Sequence, residues 1–138
     1  MNQRPALIAL AVLLASCAPR VAAPTQLTTS VRYTTGVPRA GEDNPVLAAI
    51  VAIAPTAPTD RNRQPWRAEE IERNSVVLRS RPTTTTSAFT LANYPQEMSW
   101  NVIATEGVTT VTATYSSAYA AAANDIFGKL DRRFTRVP

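Results

Sequence analysis

The chain has 138 residues, 14 Lys+Arg against 10 Asp+Glu, no histidine, one cysteine and four glycines. Without histidine, imidazole acid–base chemistry, Ser-His-Asp triads and nearly all zinc sites are excluded, and the glycines form neither a GxGxxG nor a Walker-type loop. The net charge of +4 is too small to indicate nucleic-acid binding.

The N-terminus reads MNQRPALIALAVLLASC. Arg4 supplies a short positive region, Ala6 to Leu14 is uninterrupted and apolar, and Ala15 and Ser16 are small. That order is a secretory signal peptide. At about 1.5 Å per residue the apolar run falls well short of a hydrocarbon core of about 30 Å, so it is not a permanent span. Leu14-Ala15-Ser16-Cys17 then resembles the lipobox of bacterial lipoproteins. The resemblance implies cleavage between Ser16 and Cys17, diacylglycerol on the Cys17 thiol, and a mature chain that begins at Cys17. A lone thiol is a hazard in an oxidising compartment, and a thioether-linked lipid removes it. Ala18 stands where an Asp would favour inner-membrane retention. The resemblance therefore implies the outer membrane in a diderm host and the cell membrane in a monoderm one.

Residues 1–16 are thus expected to be the leader, 17–26 a lipid-anchored tether rich in Pro and Ala, and 27–138 one domain. Leu27 to Thr34 alternates, with Leu27, Thr29, Val31 and Tyr33 on one face, as in a half-buried strand. Asn44-Pro45 opens a helix as N-cap and first residue, and its apolar run stops at Pro55. Trp66 to Arg73 admits a short helix after Pro65 or a strand turning at Arg73-Asn74-Ser75; the strand is the expectation. Ser75 to Arg81 is β through Val76, Val77 and Leu78. Pro82 and the hydroxyl run Thr83 to Ser87 interrupt it, Phe89 and Leu91 mark a further short strand, and Asn93-Tyr94-Pro95-Gln96 is a turn.

Met98 to Thr105 and Val108 to Tyr115 alternate around a Glu106-Gly107 hairpin signal. A final helix, capped by Ser116 or Ser117, carries Tyr119, Ala123, Ile126, Phe127, Leu130 and Phe134 in one apolar stripe. Asp125 and Lys129 flank it as an i,i+4 pair, and Arg132, Arg133 and Arg136 favour its negative end. The fold class is α+β: a small antiparallel meander with two helices on one face, the C-terminal one amphipathic.

Lys129 is the only lysine, so arginine abundance reflects genome composition before it reflects function. One arginine group still stands out as a candidate anion-binding surface: Arg61, Arg63, Arg67, Arg73, Arg79 and Arg81, with Trp66 among them. Glu69, Glu70 and Glu72 oppose it. The expected function is that of a non-catalytic, lipid-anchored envelope protein serving as an interaction or assembly module. Its partners are the membrane, through acylated Cys17, and an envelope protein; an exposed edge near Thr83 to Leu91 could accept a partner strand. The alternatives are a binder of anionic polymer or lipid head groups and a carrier of a small apolar ligand. No catalytic residue, metal or cofactor is assigned.

Overall fold

The structure, a computed structural model, describes residues 23–83 and 95–138. The lipobox and the expected strand at Phe89 and Leu91 lie outside these residues. Among the described residues, alternation in the sequence becomes strand wherever it was read. β1 spans Gln26–Thr34, β2 Arg67–Ile71, β3 Ser75–Ser80, β4 Gln96–Thr105 and β5 Val108–Ser116. β2 settles the Trp66 to Arg73 question in favour of the strand. The Glu106-Gly107 turn takes positive φ at both residues, 52° and 81°, as a tight hairpin that follows the strand twist requires.

The sheet order is β2-β3-β4-β5-β1-β6, with every recorded pairing antiparallel. β2 to β5 form the meander. β1 does not continue it in sequence order; it pairs along all nine of its residues with β5, from Gln26 opposite Ser116 to Thr34 opposite Val108. A two-residue strand, β6 (Thr135–Arg136), then covers the far end of β1. No alternation could announce a strand that short. It follows directly on the last helix because Phe134 leaves helical geometry at φ −128° and ψ 147°. Arg136 therefore lies in β6, where its guanidinium pairs with Asp131 at 3.0 Å.

α1 spans Pro45–Ile53 and runs on into a 3-10 turn at Ala54–Thr56. The Asn44 side chain accepts from the Val46 amide at 2.9 Å, satisfying a helix donor that has no partner within the helix. Val46, Leu47, Ala49, Ile50 and Ile53 are buried. α2 spans Ala120–Arg133 and is preceded by a 3-10 turn at Ser117–Tyr119 whose cap is Ser116. Its buried stripe is Ala122, Ala123, Ile126, Phe127 and Leu130, with Tyr119 and Phe134 half-buried at its ends. Lys129 meets Asp125 at 2.6 Å and also reaches the Thr56 carbonyl, joining α2 to the end of α1.

Both helices pack on the sheet face formed by Val31, Tyr33, Val76, Leu78, Met98, Trp100, Val102, Val111, Ala113 and Tyr115. Aromatic contacts connect the layers. Trp100 meets Phe127 with centroids 4.9 Å apart, and Trp66 meets Tyr119 at 5.3 Å. Trp66 is fully buried, and its indole N–H donates to the Pro58 carbonyl at 3.1 Å. Ile126 is fully enclosed whereas Ile103 is 57 % exposed. Ile126→Ala should therefore cost about 2–5 kcal/mol in denaturant unfolding. Ile103→Ala should stay within about 0.5 kcal/mol of the parent chain.

Candidate functional site

β-register decides what the candidate arginines can do. Arg79 on β3 lies opposite Glu97 on β4 and opposite Arg67 on β2. The β2–β3 register shifts between Ala68 and Glu70. Such a bulge re-aims side chains locally, and here consecutive carboxylates reach one guanidinium. Arg79 donates to Glu70 at 2.7 Å, Glu97 at 2.8 Å and Glu69 at 3.1 Å. Arg81 clasps Glu69 through Nε and Nη2, both at 2.7 Å. Hydrogen bonds from Arg81, then from Arg79, hold the Glu69 carboxyl down at about 2. The three carboxylates, Glu70 first, raise the pKa of Arg79 in return, and Glu69 raises that of Arg81.

The other four arginines are dispersed. Arg63 donates to the Ser80 carbonyl at 3.1 Å, bracing the loop before β2 against β3. Arg61 and Arg67 are exposed near the sheet end where β1 begins, since Arg63 bridges Pro82 and Arg67 faces Arg79. Arg73 sits at the β2–β3 turn and borders a cleft of about 480 Å³ with Arg39, Glu42, Asp43, Asn44 and Asn74. Among the described residues, Arg61, Arg67 and Arg73 make no ion pair. The six arginines thus do not form one anion site. Two are neutralised by glutamate, one holds backbone, and Arg73 is separated from the rest. The sequence showed the glutamates but not the bulge that turns them onto Arg79.

The sheet face away from the helices is the feature that a residue-by-residue reading missed. It presents Thr28, Ser30, Arg32 and Thr34 from β1, Thr110, Thr112 and Thr114 from β5, and Ser99, Asn101, Ile103 and Thr105 from β4. Arg32 is the one charge in this set. Its hydroxyls bond laterally, as between Ser30 and Thr112 at 2.9 Å. The T-x-T-x-T run of β5 was a visible signal, but only strand order puts it beside β1 and β4.

Two further sites are structural. Tyr33 is fully buried and donates to Asp131 at 2.8 Å, and burial followed by this bond raises its pKa. Asn44 donates to buried Thr109 at 3.4 Å, and Thr109 meets Thr35 at 2.8 Å. An open groove of about 260 Å³ lies between α1 and β2, lined by Leu47, Ala48, Val51 and Ile71 with Asp43 and Glu72 at its margin. Among the described residues, no group of three or more acidic, His or Cys side chains could hold a metal ion. No helix among them is long and apolar enough to cross a membrane. Comparison with family models, curated proteins and solved structures found no match.

Because the folded Glu69 carboxyl lies below its ordinary value of 4.5, its stabilising effect is complete above that value and is lost as pH falls toward about 2. Glu69→Gln removes this dependence. The stability gap between parent and variant, followed by denaturant titration, should be open at neutral pH and should close across that acidic window.

Proposed function

We propose that the protein is a lipid-anchored component of the bacterial envelope that acts by binding other macromolecules, with no chemistry of its own. The observation that carries this reading is the lipobox-like Leu14-Ala15-Ser16-Cys17 behind an apolar leader. Eight residues, Ala18 to Thr25, separate Cys17 from β1, so at about 3.3–3.6 Å each the domain would stay within about 29 Å of its anchor. Acyl chains on one residue would hold it there, at about 0.8 kcal/mol per buried CH₂. The binding half of the reading is supported by the exposed sheet face from Ser99 to Thr105 of β4 across β5 to β1, where Arg32 is the one charge, and by the hydroxyls arrayed along it. The location it implies is the exported side of a membrane, the outer membrane in a diderm host.

A second reading has its own support. Arg61 and Arg67 are exposed at the end of the sheet where the tether enters, so they would face anionic head groups or polymer near the bilayer. Their charge is diluted there, since Arg79 and Arg81 are already paired. The apolar-carrier reading has the open groove beside Ile71 in its favour and is the weaker.

Mass spectrometry of the chain isolated from native membranes tests the anchor. The expected result is an N-terminus at Cys17 with the added mass of acyl chains. Cys17→Ser should move the protein from the detergent-rich to the aqueous phase. An unmodified N-terminus beyond Cys17, in a soluble fraction, would overturn the anchor. Partners retained at high salt would favour the protein-binding reading, and salt-sensitive capture of anionic vesicles would favour the arginine one.

A further inference from the structure

Two turns distant in sequence border one cleft beside the start of α1. Arg39 to Glu42 is closed by the Glu42 amide on the Arg39 carbonyl at 3.0 Å, and Gly41 takes the positive φ, 89°, that the third residue of a type II turn requires. The Glu42 carboxylate is drawn back onto the Arg39 amide at 3.3 Å. Glu72 to Ser75 is closed by the Glu72 amide on the Ser75 carbonyl at 2.8 Å, and the Asn74 carbonyl accepts from the Val102 amide of β4 at 2.7 Å. The cleft of about 480 Å³ is lined by both turns. The apolar groove of about 260 Å³ adjoins it, because Asp43 lines both and Glu72 of the groove is followed by Arg73 of the cleft.

The charges of these depressions do not satisfy one another. Among the described residues, the side chains of Arg39, Asp43 and Arg73 have no ion-pair or hydrogen-bond partner, whereas Arg79, Arg81 and Arg136 are all paired with carboxylates. The groove is apolar for a reason written in the sequence. α1, PVLAAIVAI, has no polar residue, so the side it does not bury is apolar as well. Val51 is half-buried there, and Ile71 of β2 lines the same groove 58 % exposed. Together the joined depressions offer an apolar wall, the carboxylates of Asp43 and Glu72 at its margin, and the guanidiniums of Arg39 and Arg73 beyond.

We propose that the joined depressions bind a short peptide with both termini free and an apolar side chain on its first residue. That side chain seats against Leu47, Val51 and Ile71. The ammonium beside it meets Asp43 and Glu72. The carboxylate at the other end meets Arg39 and Arg73, whose planar guanidiniums suit a carboxylate fork. Asn44, the cap of α1, lines the polar cleft, so the positive end of the helix adds to the arginines there. Other ligand classes fit less well. A purely apolar molecule would leave every one of these charges unanswered. A purely anionic one would meet the carboxylates of Glu42, Asp43 and Glu72. A single amino acid carries both charges on one carbon and would leave most of the larger cleft empty. Both depressions are open to water, so the binding is weak. This inference goes beyond the binding of macromolecules proposed above and does not rest on the lipid anchor.

Nuclear magnetic resonance titration of the full chain in detergent with leucylglycine tests it. Amide shifts should move in residues 39–44 and 71–74 and stay fixed on β5. N-acetyl-leucylglycine, leucylglycine amide and glycylglycine, which lack the ammonium, the carboxylate and the apolar side chain in turn, should each bind more weakly by about tenfold, the equivalent of about 1.4 kcal/mol. Arg39, Asp43, Ile71 and Arg73 are all exposed, so their substitution should leave the rest of the spectrum unchanged. Arg73→Gln should erase the preference for leucylglycine over its amide, and Asp43→Asn the preference over the acetylated form. Ile71→Ser should bring leucylglycine down to the level of glycylglycine. Arg132→Gln, on α2, should bind as the parent chain does. Shifts absent from both turns, blocked peptides that bind as well as the free one, or free leucine that binds as tightly as the dipeptide would overturn the inference. Failure of the anchor reading would appear separately, as a chain without acyl mass whose titration is unchanged.

Discussion

The nine-residue pairing of β1 with β5 is the constraint on which the rest of the structure depends. It joins residues 74 to 90 positions apart, from Thr34 with Val108 to Gln26 with Ser116. With β1 in that place the chain must cross from one side of the sheet to the other before β2, and α1 is the element that makes the crossing. β6 then finds an edge to join, and Tyr33 is carried beneath α2, where its hydroxyl meets Asp131 and its ring lies 6.0 Å from Phe134. Contacts of such long sequence separation close large loops and are slow to form. The β4–β5 hairpin, with its two-residue turn, is by contrast a local pairing.

Electrostatics follow the same register. An arginine-rich segment would be a strongly positive surface if its side chains were free. Instead, the bulge in β2 and the alignment of β4 bring Glu69, Glu70 and Glu97 onto Arg79, and Glu69 is shared with Arg81. Surface ion pairs of this kind contribute little stability singly. Their main effect here is to cancel charge at one edge while keeping that edge polar and irregular. Among the described residues, β1 at the other side of the sheet carries one charge, Arg32, and pairs with β5 without a register shift.

Much of the fold was legible before any coordinates. Period-two alternation marked β1, β3, β4 and β5. The Asn44-Pro45 pair marked the start of α1, and the stripe from Tyr119 to Leu130 marked α2, because burial of one face imposes these periods on sequence. The leader-like apolar run and the lipobox-like Leu14-Ala15-Ser16-Cys17, from which the proposed anchor is argued, are likewise a matter of local order along the chain. Strand neighbours were not legible, since β1 alternates in the same way whether it adds to the meander at β2 or at β5. The bulge that gathers three glutamates on Arg79 could not be read either, nor could β6, which is too short to have a period. Composition, local periodicity and capping by themselves determined the elements and which face of each is buried. Tertiary structure alone decided which edges are open and which charges cancel, because both depend on register between segments distant in sequence.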